Sequence, residues 1–255
     1  MKIYSSKNEM IQIVEYLTAY MKIPYFQDDN IPGKVMEKIL SLVRGGDQLA
    51  TYDYVDVCVE NSVGWQVKST KSDTPLTWKR AKIANSEQLI AKSEENDEGL
   101  VILGNAIIDL CNNHAAESIE KYKLEEIGYS RLIIFPDNTA IYFERLICTK
   151  DSPEIFDKSS YTWKWSPRKS TKKKEQLSAL QGLDKSNKKV FSWHGRGENQ
   201  LHFSGESDWW PIINRPIQLG EINFSCENHA VAFKLPVEAD KVSWDNLTRF
   251  LNDSN

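Results

Sequence analysis

Paired cysteines, clustered metal ligands and long apolar runs are all missing from this chain of 255 residues. Its four cysteines, Cys58, Cys111, Cys148 and Cys226, lie far apart with no C-x-x-C pair. That excludes a disulfide scaffold and reads as buried thiols in a reducing, cytoplasmic setting. The four histidines offer one spacing of interest, His194 to His202, and without cysteines nearby no zinc site is expected. No apolar run approaches the ~20 residues of a membrane span. The opening Met1-Lys-Ile-Tyr-Ser-Ser-Lys7 lacks the apolar stretch of a signal peptide, so no membrane partner is expected. G-x-x-x-x-G-K-[ST] and G-x-S-x-G are both absent, which removes the P-loop and the serine-hydrolase elbow. Gly195-Arg-Gly197 is too short for a dinucleotide fingerprint.

What is present is ordinary soluble-protein material: 40% apolar residues, 27% charged, and a net charge of −4. A net negative chain is not a generally basic nucleic-acid coat, but contact depends on local charge. Apolar periodicity predicts a helix over residues 8–22 (Met10, Ile11, Ile13, Val14, Leu17, Met21). A loop over 22–32 leads to a second helix over 33–44, closed by Gly45-Gly46. Residues 50–70 read as a hairpin. Ser86, as N-cap, opens a short helix to about residue 93, and residues 100–126 carry helical periodicity. Leu132–Phe135 and Ala140–Phe143 read as strands across Pro136-Asp-Asn-Thr139. Helix, hairpin, helix and further strands give an α/β core with a mixed central sheet flanked by helices.

The most informative segment is Asp53-Tyr-Val-Asp-Val-Cys-Val-Glu-Asn-Ser-Val-Gly-Trp-Gln-Val-Lys68. Alternation puts Gln66 and Lys68 on one face of its second strand. A two-residue turn at Asn61-Ser62 brings Asp53 to that face and points Asp56 away. A three-residue turn swaps the two acids, because a one-residue slip flips every side chain. Either register gathers a carboxylate, an amide oxygen and an ammonium at one end of a sheet. That set suits Mg²⁺-assisted phosphodiester hydrolysis, since Mg²⁺ takes hard oxygen ligands and keeps several waters.

The segment resembles the PD-(D/E)XK nuclease superfamily, which includes most type II restriction endonucleases. The resemblance covers roughly residues 32–80, with a core extending to about Cys148. It implies a restriction-endonuclease-like fold, with Asp53 (or Asp56) and Gln66 as metal ligands and Lys68 as the residue that positions the attacking water. Glu37, on the preceding helix, stands where many members add a further acid. Two departures are plain: no proline precedes Asp53, and Gln66 occupies the place of the usual Glu or Asp. An amide offers one oxygen and no charge, although some restriction enzymes of this superfamily do use Gln there.

After about residue 150 the character changes, giving a division into a nuclease core (1–150) and a β-rich C-terminal recognition extension (151–255), separate or packed as one domain. Lys164–Lys174 is basic throughout its charged positions, including Arg168, Lys169, Lys172, Lys173 and Lys174, and reads as a phosphate contact or a solvated loop. Lys71, Lys79, Arg80 and Lys82 follow the hairpin closely enough to grip flanking phosphates. Trp193–Pro211 is aromatic and rich in amides. Arg196, Asn199 and Gln200 are its candidate base readers, while Trp193, Phe203, Trp209 and Trp210 read equally as core aromatics.

These features lead to the expectation of a Mg²⁺-dependent type II restriction enzyme acting on double-stranded DNA in the cytoplasm. A palindromic target implies a homodimer, with a monomer nicking each strand in turn as the alternative. The competing readings are a structure-selective repair nuclease of the same superfamily and a non-catalytic DNA-binding protein with a decayed site.

Overall fold

The structure is a computed structural model that describes residues 2–23, 30–49, 53–170 and 175–243. In chain order its elements begin with α1 (Lys7–Lys22), α2 (Gly33–Arg44), β1 (Asp47–Gln48), β2 (Val57–Val59), β3 (Val63–Lys71) and β4 (Thr77–Arg80). Next come α3 (Ser86–Glu95), α4 (Asp97–Tyr122), β5 (Glu126–Ile134) and β6 (Thr139–Thr149). Strands dominate thereafter: β7 (Thr162–Trp165), β8 (Lys169–Ser170), β9 (Glu175–Gln176), β10 (Leu180–Leu183) and β11 (Lys189–Trp193). The last are β12 (Gln200–Phe203), β13 (Ile222–Ser225) and β14 (Ala230–Lys234). Among the described residues no helix is long and apolar enough to cross a membrane.

The chain divides into two compact units, and neither is continuous in sequence. The first draws on residues 1–74, 118–150 and 211–255; the second on 75–117 and 151–210. The boundary expected near residue 150 is therefore one of four crossings. The chain leaves the first unit between β3 and β5, and it returns to it for β13 and β14.

The first unit is an α/β layer built on one seven-stranded mixed sheet in the order β1-β2-β3-β5-β6-β14-β13. Only the central β3–β5 pair runs parallel. α1 starts where Ser6 and Glu9 cap each other, with Ser6 Oγ accepting from the Glu9 N–H and Glu9 accepting from the Ser6 N–H. Its periodic residues Met10, Ile13, Leu17 and Met21 are buried, as are Met36, Ile39 and Leu40 of α2. These two stripes share one core with Val57, Val63, Trp65, Val67, Leu132, Tyr142 and Phe233 of the sheet. Gly45 ends α2 in the left-handed region (φ 62°), a conformation glycine adopts without a Cβ penalty.

A buried polar latch fastens residues 2–5 to this core. Arg44, 3% exposed, donates from Nη2 to the Lys2 carbonyl (2.5 Å) and from Nη1 to Ser5 Oγ (2.7 Å). Glu144 accepts from the Ser5 N–H (2.5 Å), the Ser5 hydroxyl (2.7 Å) and the Tyr142 hydroxyl (2.6 Å). This buried network ties α2 to β6 through the N-terminal strap.

The second unit carries a five-stranded antiparallel sheet in the order β4-β12-β11-β10-β7. One face packs an aromatic core: Trp78 lies edge-on to Phe156 (5.5 Å), Phe203 (5.3 Å) and Trp209 (5.9 Å), and Phe191 stacks on Phe203 (4.8 Å). Trp193 is fully buried. Trp193 and Phe203 are thus core residues, and Trp209 is half-buried at the edge of that core.

Several local expectations shift. Asn85, left-handed at φ 54°, precedes the first turn of α3, so Ser86 is its first helical residue and not its N-cap. α4 runs from Asp97 and stops at Tyr122, where Lys123 turns left-handed (φ 53°), so residues 123–126 leave the helix for β5. β5 and β6 are longer than the apolar runs Leu132–Phe135 and Ala140–Phe143 indicate, because central pairing carries polar residues into the ladder.

Candidate active site

The hairpin turn settles the register left open by the sequence. Val59 pairs with Val63 and Val57 with Trp65, leaving Glu60-Asn61-Ser62 as a three-residue turn. Asn61 takes a positive φ of 56° and the Ser62 N–H closes onto the Val59 carbonyl (3.1 Å), a geometry suited to such a turn. A two-residue turn, and with it the arrival of Asp53 beside Gln66 and Lys68, is therefore corrected. Asp53 instead accepts from Lys121 Nζ (2.8 Å) and the Tyr122 hydroxyl (2.9 Å), beyond the start of β2.

Asp56 takes the other position. It sits just before the first paired residue of β2, and its N–H donates to the Trp65 carbonyl (2.8 Å). Its carboxylate accepts the Val67 N–H (2.7 Å), so the side chain is fixed between Gln66 and Lys68 along β3. Burial is the largest influence on this acid and raises it above the ordinary carboxylate range. Lys68, the Val67 N–H and Lys34 oppose the rise, whereas Glu37 adds to it.

Lys68 answers in the opposite sense. Burial lowers it below the ordinary lysine range, Asp56 and Glu37 push back, and Arg131 adds to the lowering. Arg131 lies opposite Lys68 in the parallel β3–β5 register and is 1% exposed. It donates to Thr70 Oγ1 and to the Leu132 carbonyl, both at 2.8 Å.

Glu37 reaches the cluster from the second turn of α2 and is buried. Its Oε2 accepts from Lys34 Nζ (2.7 Å) and Gln48 Nε2 (2.8 Å). Ser69 Oγ donates to the Ile31 carbonyl (2.6 Å), which fastens the chain entering α2 against β3. Gln66 is 3% exposed and shares its side of β3 with Lys68. Asp56, Glu37, Gln66 and Lys68 are thus gathered at the β2–β3 end of the sheet; Asp53 is not. Lys34, Gln48 and Arg131 complete the surroundings without having been anticipated. Arg131 had a signal, a lone cation inside the apolar run from Ile127 to Ile134.

Among the described residues no group of three or more His, Cys, Asp and Glu is placed to hold a metal. Two carboxylates and an amide are nonetheless the hard oxygen donors that Mg²⁺ accepts, because it fills its remaining positions with water. The unfavourable effect of Glu37 on Asp56 ionisation is what a bound cation would relieve.

The expected DNA contacts are dispersed. Lys71 ends β3 and is exposed; Lys79 and Arg80 belong to β4 and Lys82 follows it, with Arg80 and Lys82 exposed. Arg196 pairs with Glu94 and lies over the Trp165 ring (5.2 Å). Asn199 is a left-handed corner (φ 51°) whose carbonyl accepts the Ala81 N–H (2.6 Å), and Gln200 pairs with Arg80 across the strands. Arg168 is exposed. Lys169 lies in β8, and Lys172, Lys173 and Lys174 fall outside the described residues. Searches against family models, curated proteins and solved structures found no match to this chain.

Proposed function

We propose that this protein is a Mg²⁺-dependent endonuclease of double-stranded DNA with a restriction-endonuclease-like core, cutting at a short specific sequence. The observation that carries the reading is geometric: the three-residue turn and the Val67 N–H fix the Asp56 carboxylate beside Gln66 and Lys68 of β3, with buried Glu37 of α2 close enough to act on both Asp56 and Lys68. An acid raised and a lysine lowered at one spot is the pattern by which catalytic groups are tuned, and it supports the reading beside that geometry. Asp56, Gln66 and Glu37 would hold the ion. Mg²⁺ bound there supplies a Lewis acid for the phosphoryl oxygen and lowers the pKa of its water.

The chain's own groups do the rest. Asp56, locked by the Val67 N–H, presents its other oxygen in a fixed direction. Lys68 donates hydrogen bonds to the attacking water and to the charge that grows on the phosphate. Burial, with Arg131 assisting, makes Lys68 readier to give up a proton than an exposed lysine. A palindromic target would call for a homodimer.

Digestion of a sequenced plasmid with Mg²⁺, followed by end mapping, tests the reading. Discrete ends support it, and preference for branched DNA would move it to a repair nuclease. One observation favours a second reading, a DNA-binding protein with a decayed site: Gln66 stands where an acid completes the metal set. Retained DNA binding with no cleavage in Mg²⁺ or Mn²⁺ would select it.

A further inference from the structure

The outward face of the second unit's sheet is organised as a binding groove. Paired residues from five strands form one row across it: Lys164, Gln181, Ser192, His202 and Thr77. Their strand neighbours Trp163, Leu180, Phe191, Trp193, Leu201 and Phe203 are buried, as period-two alternation requires. Gln181, Ser192 and His202 line a hollow of about 380 Å³, together with His194 and Lys189. Lys189 reaches this side because the β10–β11 register shifts between Gly182 and Leu183.

Three properties of the hollow select its occupant. Among the described residues none that lines it is acidic, although the chain carries 36 acids against 32 lysines and arginines. Its floor offers amide, hydroxyl and imidazole groups, which donate and accept hydrogen bonds without fixed charge. Its rim is apolar, formed by Pro75, Pro167 and Leu177, the last 46% exposed. His202 Nδ1 lies 3.4 Å from Thr77 Oγ1 and its ring meets His194 edge-on (5.3 Å). Burial, then His202, lowers His194 below the ordinary imidazole range, with Glu198 opposing and Lys189 assisting. The hollow that holds Arg196 differs, since Glu87 and Glu94 line it.

From this juxtaposition we propose that the groove binds one strand of duplex DNA, its apolar rim taking sugar faces, its floor taking base edges and Lys189 a phosphate. The proposal deepens the nuclease reading by naming where the chain recognises DNA, and it rests on DNA being the ligand. A polar floor with an apolar rim suits a nucleotide unit better than a free inorganic anion, which needs charge alone.

The test uses the full chain in EDTA, where cleavage is halted, and reads fluorescence anisotropy of a labelled duplex across a salt series. Lys189→Ala with His194→Ala should weaken binding roughly tenfold and flatten the salt slope by about one unit. Gln181→Ala with Ser192→Ala should weaken binding to a preferred sequence while leaving the salt slope as it was. Both pairs are surface-facing, and unchanged melting temperatures will establish that they fold. Wild-type affinity and slope in both variants, or no duplex binding by the wild-type chain, would overturn the proposal. So would calorimetric binding of deoxyadenosine monophosphate that the variants lose while duplex binding stays intact. Plasmid cleavage is scored separately. Groove-dependent binding without cutting sinks the nuclease reading alone, and cutting with groove-independent binding sinks the groove alone.

Discussion

Replacing Asp56 by Asn should stabilise the protein at neutral pH and at the same time abolish cleavage. Burial raises the folded-state value of Asp56 above the ~3.9 of an unfolded chain. A group raised in this way contributes stability that is complete below the unfolded value and is lost as pH rises through the folded one. At neutral pH the wild-type chain therefore holds an ionised carboxylate at a cost that Asn avoids. Asn also keeps an oxygen to accept the Val67 N–H, so the hairpin register survives. Lys68 loses one counter-charge but retains Glu37, and being lowered already it sheds its proton cheaply. The gain is limited to about 1 kcal/mol or less, because Lys68 stays behind and removing one member of a buried ion pair is costly unless the other sheds its charge. In a chain of this size that raises Tm by at most about 2–4 °C. Cleavage should fall by at least ~100-fold, about 2.7 kcal/mol of barrier. Thermal melts of both proteins from acid to neutral pH, beside a plasmid cleavage assay, test this directly. The Tm advantage of Asn should grow with pH and vanish in acid. An Asn variant that loses stability relative to wild type as pH rises would refute the reasoning, because it would mean that the partners of Asp56 outweigh its burial. Asp53→Asn is the control, and it should leave cleavage within about threefold of wild type.

Lys68→Ala should abolish cleavage while leaving duplex affinity largely intact, and a rate loss below about tenfold, ~1.4 kcal/mol, would remove Lys68 from the chemistry. Gln66→Glu adds a third carboxylate to a buried cluster, so stability in EDTA should drop by roughly 1–3 kcal/mol, read as a lower Tm, and recover with Mg²⁺. The same Tm with and without the ion would place that side chain outside the metal set. The pH profile of cleavage should rise with Asp56 ionisation, above the ordinary carboxylate range, and fall with Lys68 deprotonation, below the ordinary lysine range. Limbs at unshifted values would separate these two groups from the rate.

The sequence carries the local elements well and the long-range ones poorly, for identifiable reasons. α1 and α2 were legible because the apolar period is a short-range signal and Gly45-Gly46 closes the second helix. The shared side of Gln66 and Lys68 needed only strand alternation. Choosing between Asp53 and Asp56 needed the length of one turn, and Glu60-Asn61-Ser62 accommodates a two- or three-residue loop equally by composition. The two-unit division was hidden because it depends on pairings such as β6 with β14, whose partners lie far apart in sequence. Trp193 and Phe203 were ambiguous for a different reason: a large aromatic looks the same in a sequence whether it is buried or stacks on a base.

The return of the chain to its first sheet bears on how the molecule is made. β6 lies between β5 and β14. Until residues 230–234 leave the ribosome, that strand has one side of its backbone unpaired. A nascent or truncated chain ending before β14 thus presents a long apolar edge, the template on which strands from other molecules pair. Fragments stopping near residue 150, although they include every residue of the candidate site, should therefore aggregate. A soluble truncation will need to carry residues 211–243 as well, either in place or spliced directly behind β6.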